Sequence, residues 1–541
     1  MAETTAAPRA RRKAGDTRLR PPVGGATVRM YRTGHGDCFL LAFAGEAPRK
    51  AEEPPRRPGK SRKPVYVLID CGYKPGSPKF IDTNAKDITA SIREATGGYV
   101  DVAVITHEHQ DHVNAITEAN FEGIAIGETW LAWTEDPDDP IATRLRAQFK
   151  DKLLGLLAAR SRLAADDPQV AKGIEELLAF ELGGDDDDWA PDGPGLAGLL
   201  AAAGGDPANS RNKQAMKLFK DRAEKGVRYI RPHEEIMPLP GAPGVRVFAL
   251  GPPRDPEQLK DLDPRATEEF HGLALSAASA GNYFAAAAGA PETHGVSPFA
   301  ARYAVPQGEA LRHAQLGAYF TMHYGDGGTP EGFNPESGPR GDKEVPDNPA
   351  WRRIDKEWLY SAERLALDMN DQTNNASLVL AFELGRGGKV LLFAADAQRG
   401  NWVSWGNADW RDGNATVTAK DLLARTVLYK VGHHGSHNAT LNGVSASEHA
   451  SLGWMAQGEH GREFAAMITA VRAWAETQKG WDHPLKAIKD ALLKKASGRV
   501  FQTDTPLEKM ARPDGVSAAD WNRFLSRVHE DRLYFDYEIG G

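Results

Sequence analysis

The stretch Thr106-His107-Glu108-His109-Gln110-Asp111-His112 holds three histidines and an aspartate within six residues. Imidazole nitrogen and carboxylate oxygen are the ligands that Zn²⁺ and similar divalent ions take. The cluster begins where the apolar run Val102–Ile105 ends. In a turn that leaves a strand end, alternate residues aim at one point, so His107 and His109 can share one ion. Asp111 and His112, half a turn further on, reach a second. Two ions ~3.5–4 Å apart clamp a hydroxide and polarise a substrate. The competing reading is a polar helix cap with chance histidines. With only 16 histidines in the chain, three in six positions speaks against it.

Other residues could join this chemistry. Asp396 stands alone among apolar residues, and a lone buried carboxylate is costly unless paired or metal-bound. His433 and His434 follow the strand-like stretch Val427–Val431. Adjacent side chains in an extended segment diverge, so one binds metal and the other sits beside it, unless the turn redirects both. His35 and Asp37 lie in the glycine turn Gly34–Cys38, where they back the ligands, meet substrate, or simply form the turn. His483 precedes Pro484 at an expected helix start, where a capping role competes with a site role. Ser436, His437 and Asn438 bind an anionic oxygen or are plain loop residues. Lys430 and Arg399 meet phosphate or are surface charges. Cys38 and Cys71 neighbour these motifs but are flanked by strand residues, which predicts reduced, buried thiols. The aspartate run Asp185–Asp188 predicts a solvated acidic loop, because nothing fixes a coordination shell there.

The elements that must position these residues follow from periodicity. Val28–Phe43 predicts two strands around a glycine turn. Val65–Ile69, Val102–Ile105 and Gly123–Trp133 predict further strands, with a helix over Asp87–Ala95 between the first two. Ala142–Arg162 and Ala171–Leu182 carry apolar residues at i, i+3 and i+4 and predict helices. Strands resume at Gly226–Ile230, Gly244–Leu250, Ser377–Phe382, Lys389–Ala394 and Val427–Val431. A helix over Pro484–Lys495 and strands at Arg499–Gln502 and Leu533–Ile539 close the pattern. Strand and helix alternating at these lengths predict a layered α/β protein. No repeat of fixed period is present.

The chain has 541 residues, 41% hydrophobic and 26% charged. That is ordinary for a soluble protein of two to four domains, or one domain with large insertions. It excludes collagen and a wholly disordered chain. No apolar run reaches the ~20 residues that span a bilayer. Two cysteines exclude a disulfide framework and suit a reducing cytosol. The net charge of −8 excludes a strongly basic nucleic-acid coat, though not a local basic groove. Arg9, Arg11, Arg12, Lys13, Arg18 and Arg20 are followed by Pro21, Pro22 and Gly24 rather than an apolar stretch. This predicts a disordered basic tail, not a secretory signal, and a cytoplasmic location. The tail is a solubilising leader or a phosphate-binding arm.

The pattern His-x-His-x-Asp-His after an apolar strand resembles the metallo-β-lactamase fold superfamily. Ile69-Asp70-Cys71-Gly72 resembles its early strand-end aspartate, which buttresses the metal loop. Leu391–Ala397 resembles the strand ending in the metal-bridging aspartate, and Val431-Gly432-His433-His434-Gly435-Ser436 the strand end carrying the last histidine ligand. Gly34–Cys38, Asn375-Ala376-Ser377-Leu378-Val379-Leu380, Gly432–Ser436 and His483-Pro484 resemble the ComEC-like branch. That branch includes the hydrolase domain of a DNA-uptake protein and is similar to bacterial phosphorylcholine esterases. The chain departs from the pattern with His35 where Gln is common and Ala395 where Gly is usual. It also lacks a clear separate histidine between the two metal motifs.

The resemblance implies a four-layer αβ/βα sandwich with two large insertions. A basic tail at 1–22 precedes the first half at 23–135. A helical insertion at 136–225, core strands at 226–254, a Gly/Pro-rich insertion or cap at 255–370 and the second half at 371–541 follow. It implies His107, His109, Asp111, His112, Asp396, His433 and His434 as ligands of two divalent ions, Zn²⁺ first and Mn²⁺ as the alternative. The third ligand of the first ion stays open. It places His35, Asp37, Asp70, Asn375 and Ser436 behind the ligands or against substrate. His483 becomes a rim residue that touches substrate or donates a proton. The implied activity is hydrolysis of phosphodiesters by a bridging hydroxide that Asp111 orients, as in a nuclease, with a small phosphoester as alternative substrate. A binding or scaffold protein on an inherited fold, with a protein partner on the insertions, is the reading from another class. No membrane partner is expected.

Overall fold

The computed structural model describes residues 17–45, 63–77, 84–166, 168–184, 198, 206, 209–265, 267–269, 309–310, 312–319, 366–367, 369–477 and 483–541. Most of the basic tail, nearly all of the loop Ala47–Pro64, the run Asp185–Asp188 and most of 255–370 lie outside them. The chain divides into two compact units. One comprises Met1–Arg146, Ala179–Ser276 and Asn370–Gly541; the other comprises Ala147–Leu178 and Ala277–Met369.

The larger unit is α/β, with two mixed sheets. The first uses β1 (Ala26–Tyr31), β2 (Cys38–Ala44), β3 (Pro64–Cys71), β4 (Tyr99–Ile105), β5 (Ala125–Ala132) and β6 (Val227–Ile230). The second uses β7 (Met237–Leu239), β8 (Ala242–Gly251), β9 (Val379–Leu384) and β10 (Val390–Phe393). A separate ribbon pairs β11 (Asp409–Asp412) with β12 (Ala415–Thr418). The second sheet continues with β13 (Thr426–Lys430), β14 (Ala465–Ile468) and β15 (Val500–Gln502). The chain then returns to the first sheet with β16 (Val528–Glu530) and β17 (Tyr534–Ile539). The strand orders are β16-β17-β1-β2-β3-β4-β5-β6 and β15-β14-β13-β10-β9-β8-β7. In each sheet one side is antiparallel. The other is parallel: β3 through β6 in the first, and β10, β13, β14 and β15 in the second.

The apolar residues sort by strand face. Val102 and Val104 of β4 and Leu391 and Phe393 of β10 share one core with Val28, Phe39, Val247, Leu380 and Met467, so the sheets pack face to face. Ala103 and Ile105 point to the opposite side and pack with helix residues Ile88, Ile92, Met216 and Phe219. Leu392 and Val390 pack outward with Trp402, Leu422, Ile488 and Leu492. Parallel strands buried on both faces read as continuous apolar runs, which is why β3, β4 and β10 stand out in the sequence.

Helix α1 (Ala85–Thr96) shows the local logic. Asn84 and Asp87 form a reciprocal capping box at its start, and Gly97 closes it in the left-handed conformation at φ 68°. Ile88, Ile92 and Ala95 face the sheet. Each fully buried isoleucine contributes roughly 1.5–3 kcal/mol, so Ile92→Ala is the change that would loosen it most. At the far end of α1, Leu19 is fully buried and its amide donates to Ala95 O at 3.0 Å. Ordered packing therefore begins inside the stretch read as a tail to residue 22, because Leu19 is apolar enough to join this core.

Helix α2 (Gln110–Val113) is a single turn within the histidine cluster. Helices α3 (Pro140–Asp166) and α4 (Pro168–Leu182) follow, then α5 (Arg211–Arg222). The insertion expected at 136–225 is thus split. The smaller unit takes only 147–178 of it, where Arg160 Nη2 donates to Glu175 Oε2 at 2.8 Å. The described residues of 136–146 and 179–225 belong to the larger unit with the sheets. Among the described residues no helix is long and apolar enough to cross a membrane.

Candidate metal centre

The parallel strands of both sheets end at the same place. Asp70 ends β3, Thr106–His112 follow β4, Asp396 follows β10, His433 and His434 follow β13, and Thr469 follows β14. The crevice at the carboxyl ends of parallel strands is where α/β proteins build sites. Asp70, Ala395, His433 and His434 have φ of 53°, 48°, 41° and 54°. These are left-handed conformations that cost non-glycine residues about 1–3 kcal/mol each and turn the chain sharply out of its strand. Ala395 holds without glycine a conformation that glycine takes freely. Gly72 serves by close approach instead: a Cβ there would lie 2.4 Å from the Asp111 carbonyl carbon and the His112 amide nitrogen.

Asp111, His112, Asp396 and His434 are all buried, with one donor atom from each within 4.8 Å of the others. His112 Nε2 is 3.1 Å from Asp396 Oδ2 and 3.8 Å from Asp111 Oδ1. His434 Nε2 is 3.0 Å from Asp111 Oδ2 and 3.5 Å from Asp396 Oδ2. The far side of each ring is held. His112 Nδ1 donates to Asp70 Oδ2 at 2.8 Å, and His434 Nδ1 donates to Thr469 O at 2.9 Å. Both Nε2 atoms are thereby aimed inward, the arrangement by which outer partners orient metal-binding histidines. Asp70 in turn accepts from Thr106 N and Thr106 Oγ1 at 2.8 and 2.7 Å, which locks it beneath the loop.

A divalent cation fits this group. Asp111 Oδ1 and His112 Nε2 are buried without a hydrogen-bond partner. Orphaned polar atoms of this kind are expensive unless something satisfies them. Lys430 pairs with Asp37 and Asp396, while Asp70 and Asp111 face His112 and His434, so four buried carboxylates gather where a cation would be welcome. Burial opposes the charged forms throughout, yet His112 and His434 hold the Asp111 and Asp396 carboxyls below the usual range. Reciprocally, despite burial, Asp396 and Asp111 raise the His112 and His434 imidazoles above theirs. Burial, helped by the Asp37 carboxylate, lifts Asp70 against the pull of His112 and Thr106.

His107 and His109 form a second group. His107 Nε2 is 3.0 Å from His109 Nδ1, as expected of alternate residues aimed at one point. Neither Asp111 nor Asp396 completes it. Asn374 Oδ1 lies 2.7 Å from His109 Nδ1, and Glu181 Oε1 lies 3.1 Å from His109 Nε2. Glu181 comes from the last turn of α4.

The other sequence-stated residues take varied positions. His433 turns away from His434: its Nε2 is 3.2 Å from Asn374 Nδ2 and its Nδ1 is 2.9 Å from Ser436 Oγ. The two left-handed residues redirect both rings, one to each group. Ser436 is engaged with His433 and with Asn438 Oδ1 at 2.6 Å. Asn375 faces away from the metal groups. Its Nδ2 donates to Leu259 O at 2.9 Å and its Oδ1 accepts from Gln398 N at 3.1 Å, which shapes the turn after Asp396. Asp37 accepts from Thr469 Oγ1 at 2.5 Å and from Lys430. His35 and His483 stack with ring centroids 5.5 Å apart, and His483 lies 5.3 Å from His433. Helix 486–495 is preceded by Leu485 as its cap, so His483 does not cap it.

Two charges expected at the surface or on phosphate are neither. Lys430 is fully buried; it donates to Ala395 O at 3.0 Å and pairs with Asp37 and Asp396. It is the last residue of a buried strand, which carries it into the core between carboxylates. Arg399 is 6% exposed and held by Asp261 and Glu268, the latter at 2.6 and 2.8 Å. Cys38 and Cys71 are free and buried, opposite each other on β2 and β3 with Sγ atoms 3.6 Å apart.

Sequence reasoning passed over Asn374, Glu181, Thr469 and Thr106. Asn374 directly precedes a motif already singled out, so its type and place were visible. Glu181 carried no local signal, being one glutamate on an amphipathic helix. Set against known proteins, the chain matches no family model and no curated protein sequence.

Proposed function

We propose that this protein is a metal-dependent hydrolase of phosphodiester bonds, built on a metallo-β-lactamase-like four-layer αβ/βα sandwich. The observation that carries the reading is the convergence of Asp111, His112, Asp396 and His434, with two buried lone-pair atoms lacking partners. Two face-to-face sheets with apolar helix layers outside them support the sandwich. A bound divalent ion, Zn²⁺ before Mn²⁺, would lower the pKa of a water and draw charge from a phosphoryl oxygen. The chain's own residues do the rest. Asp111, His112, Asp396 and His434 hold the ion. Asp111 also accepts a hydrogen bond from the attacking water and so fixes its direction. Asp70 and Thr469 keep His112 and His434 in the tautomers that present Nε2. His35 and His483 line the adjoining rim, where a hydrogen bond can reach the leaving oxygen.

The test is turnover of single-stranded DNA, duplex DNA, RNA and a chromogenic phosphodiester, with Zn²⁺ or Mn²⁺ and with chelator. Metal-dependent cleavage that chelator abolishes is the expected result. Steady binding of nucleic acid without turnover would replace this reading with the scaffold one.

A further inference from the structure

The position between His107 and His109 is framed by hydrogen bonds that orient its donor atoms. Thr106 Oγ1 gives its proton to Asp70 Oδ2 at 2.7 Å, so toward His107 Nδ1 at 3.1 Å it accepts. Ser377 Oγ, which accepts from Asp396 N at 3.2 Å, lies 3.2 Å from the same His107 Nδ1. With Nδ1 engaged by two hydroxyls, Nε2 is the His107 nitrogen left facing His109. Glu181 Oε1 can only accept when ionised, so His109 Nε2 donates to it at 3.1 Å. With Nε2 given to Glu181, Nδ1 is the His109 nitrogen that an ion could take.

A second relay sorts Asn374. Ser436 Oγ donates to Asn438 Oδ1 at 2.6 Å and accepts from His433 Nδ1 at 2.9 Å. His433 Nε2 is left to accept from Asn374 Nδ2 at 3.2 Å. The Asn374 carbonyl oxygen must then face the other way, where it lies 2.7 Å from His109 Nδ1. His107 Nε2 is 3.0 Å from the same atom. His107 Nε2, His109 Nδ1 and Asn374 Oδ1 thus converge, the outer two 3.0 and 2.7 Å from His109 Nδ1, a spacing at which one cation can take all three as ligands.

We infer that Asn374 Oδ1 is the third ligand of a second divalent ion held with His107 Nε2 and His109 Nδ1, and that Glu181 is the residue that positions His109 for it. This deepens the hydrolase reading above and rests on it. Glu181 is built for the part. It is 8% exposed, and Asn212 Nδ2 donates to the carbonyls of Phe180 and Glu181 at 2.9 and 3.1 Å. Gln110 Nε2 donates to Gly184 O, tying the end of α4 to the histidine loop. The Phe180 ring packs against His109 at 4.7 Å between centroids. A carboxylate behind a metal-binding histidine fixes ring and tautomer, and its loss typically costs 10–100-fold in affinity by the general rule.

The experiment is titration of the metal-free protein with Co²⁺, read by absorption and by elemental analysis. The wild type should take two ions. Asn374→Leu should take one, and Glu181→Leu should bind one of two about 10–100-fold more weakly. Glu181→Gln, whose carbonyl still accepts from His109, should recover most of the loss. Asn374→Asp keeps an oxygen donor and adds charge, so it should hold the second ion more tightly. This variant carries the test if Asn374→Leu does not fold. Two ions bound as in the wild type by both leucine variants, or no tightening in Asn374→Asp, would overturn the inference. A wild type that takes one ion, lost in Asp396→Ala, would overturn it while leaving the hydrolase reading standing. A wild type that takes none would bring down both.

Discussion

His112 Nε2 lies 3.1 Å from Asp396 Oδ2, although His112 follows β4 of the first sheet and Asp396 follows β10 of the second. The contact exists because both strands are parallel, buried on both faces, and stop at the same level. Leu378 N donates to Thr106 O at 2.9 Å beside it, so backbone as well as side chain joins the sheets here.

Asp111→Ala should abolish turnover and remove the ion held by Asp111, His112, Asp396 and His434, with the fold intact by circular dichroism. His483→Ala should keep full metal content and lose about 10²-fold or more in turnover if it supplies a proton. Measured together, the two separate the metal centre from its rim. Full activity in Asp111→Ala would discard the mechanism.

Metal affinity should rise with pH, because a bound ion must displace protons from His112 and His434, whose pKa values burial lowers but Asp396 and Asp111 raise further. The metal-free fold should show the opposite trend. A raised histidine contributes stability that is complete below the unfolded value of about 6.5 and fades as pH climbs through the folded one. The depressed Asp111 and Asp396 contribute above their unfolded value of about 3.9 and fade below it. Melting temperatures of chelated protein should therefore peak between these limits, and those of loaded protein above them. Parallel curves would contradict this.

Lys430→Met should destabilise the protein by about 3–5 kcal/mol, since it strands Asp37 and Asp396 in the interior without their cation. Denaturant unfolding measures it. The double variant Lys430→Met with Asp37→Leu should lose less than the sum of the singles. Additive losses would mean that Lys430 and Asp37 do not depend on each other.

Gly72→Ala should cost about 1–3 kcal/mol as an overpacked position and lower metal affinity more than that stability loss suggests. The added methyl meets backbone of Asp111 and His112, which cannot swing aside as a side chain would. Calorimetric titration with Zn²⁺ is the measurement. Unchanged affinity would show that the loop has slack.

Much of this arrangement was readable in advance, for identifiable reasons. β3, β4, β10 and β13 each contain a short apolar stretch (Val65–Ile69, Val102–Ile105, Val390–Phe393 and Val427–Tyr429) with polar residues close behind it, so both the strands and the residues at their ends stood out. The strand β14 did not, because Ala465–Ile468 is short and alanine-rich, although Thr469 behind it holds His434. β7, β11, β12 and β16 are three or four residues long and lack periodicity to detect. The fate of His433 and His434 depended on two consecutive left-handed residues, a conformation histidine does not announce. Glu181 depended on where a helix ends in space, which only tertiary packing decides.

The junction of the two sheets has a mechanical corollary. On the proposed reading, one ion held by four residues from strand ends of separate sheets would act as a rivet between those sheets. Peeling either sheet away would then require the ion to leave first. Amide protons of β4 and β10 should then exchange with solvent at a common, slow rate when metal is bound, and at independent rates once it is stripped. Stiffness of both sheets, not of the loop alone, would be set at that point.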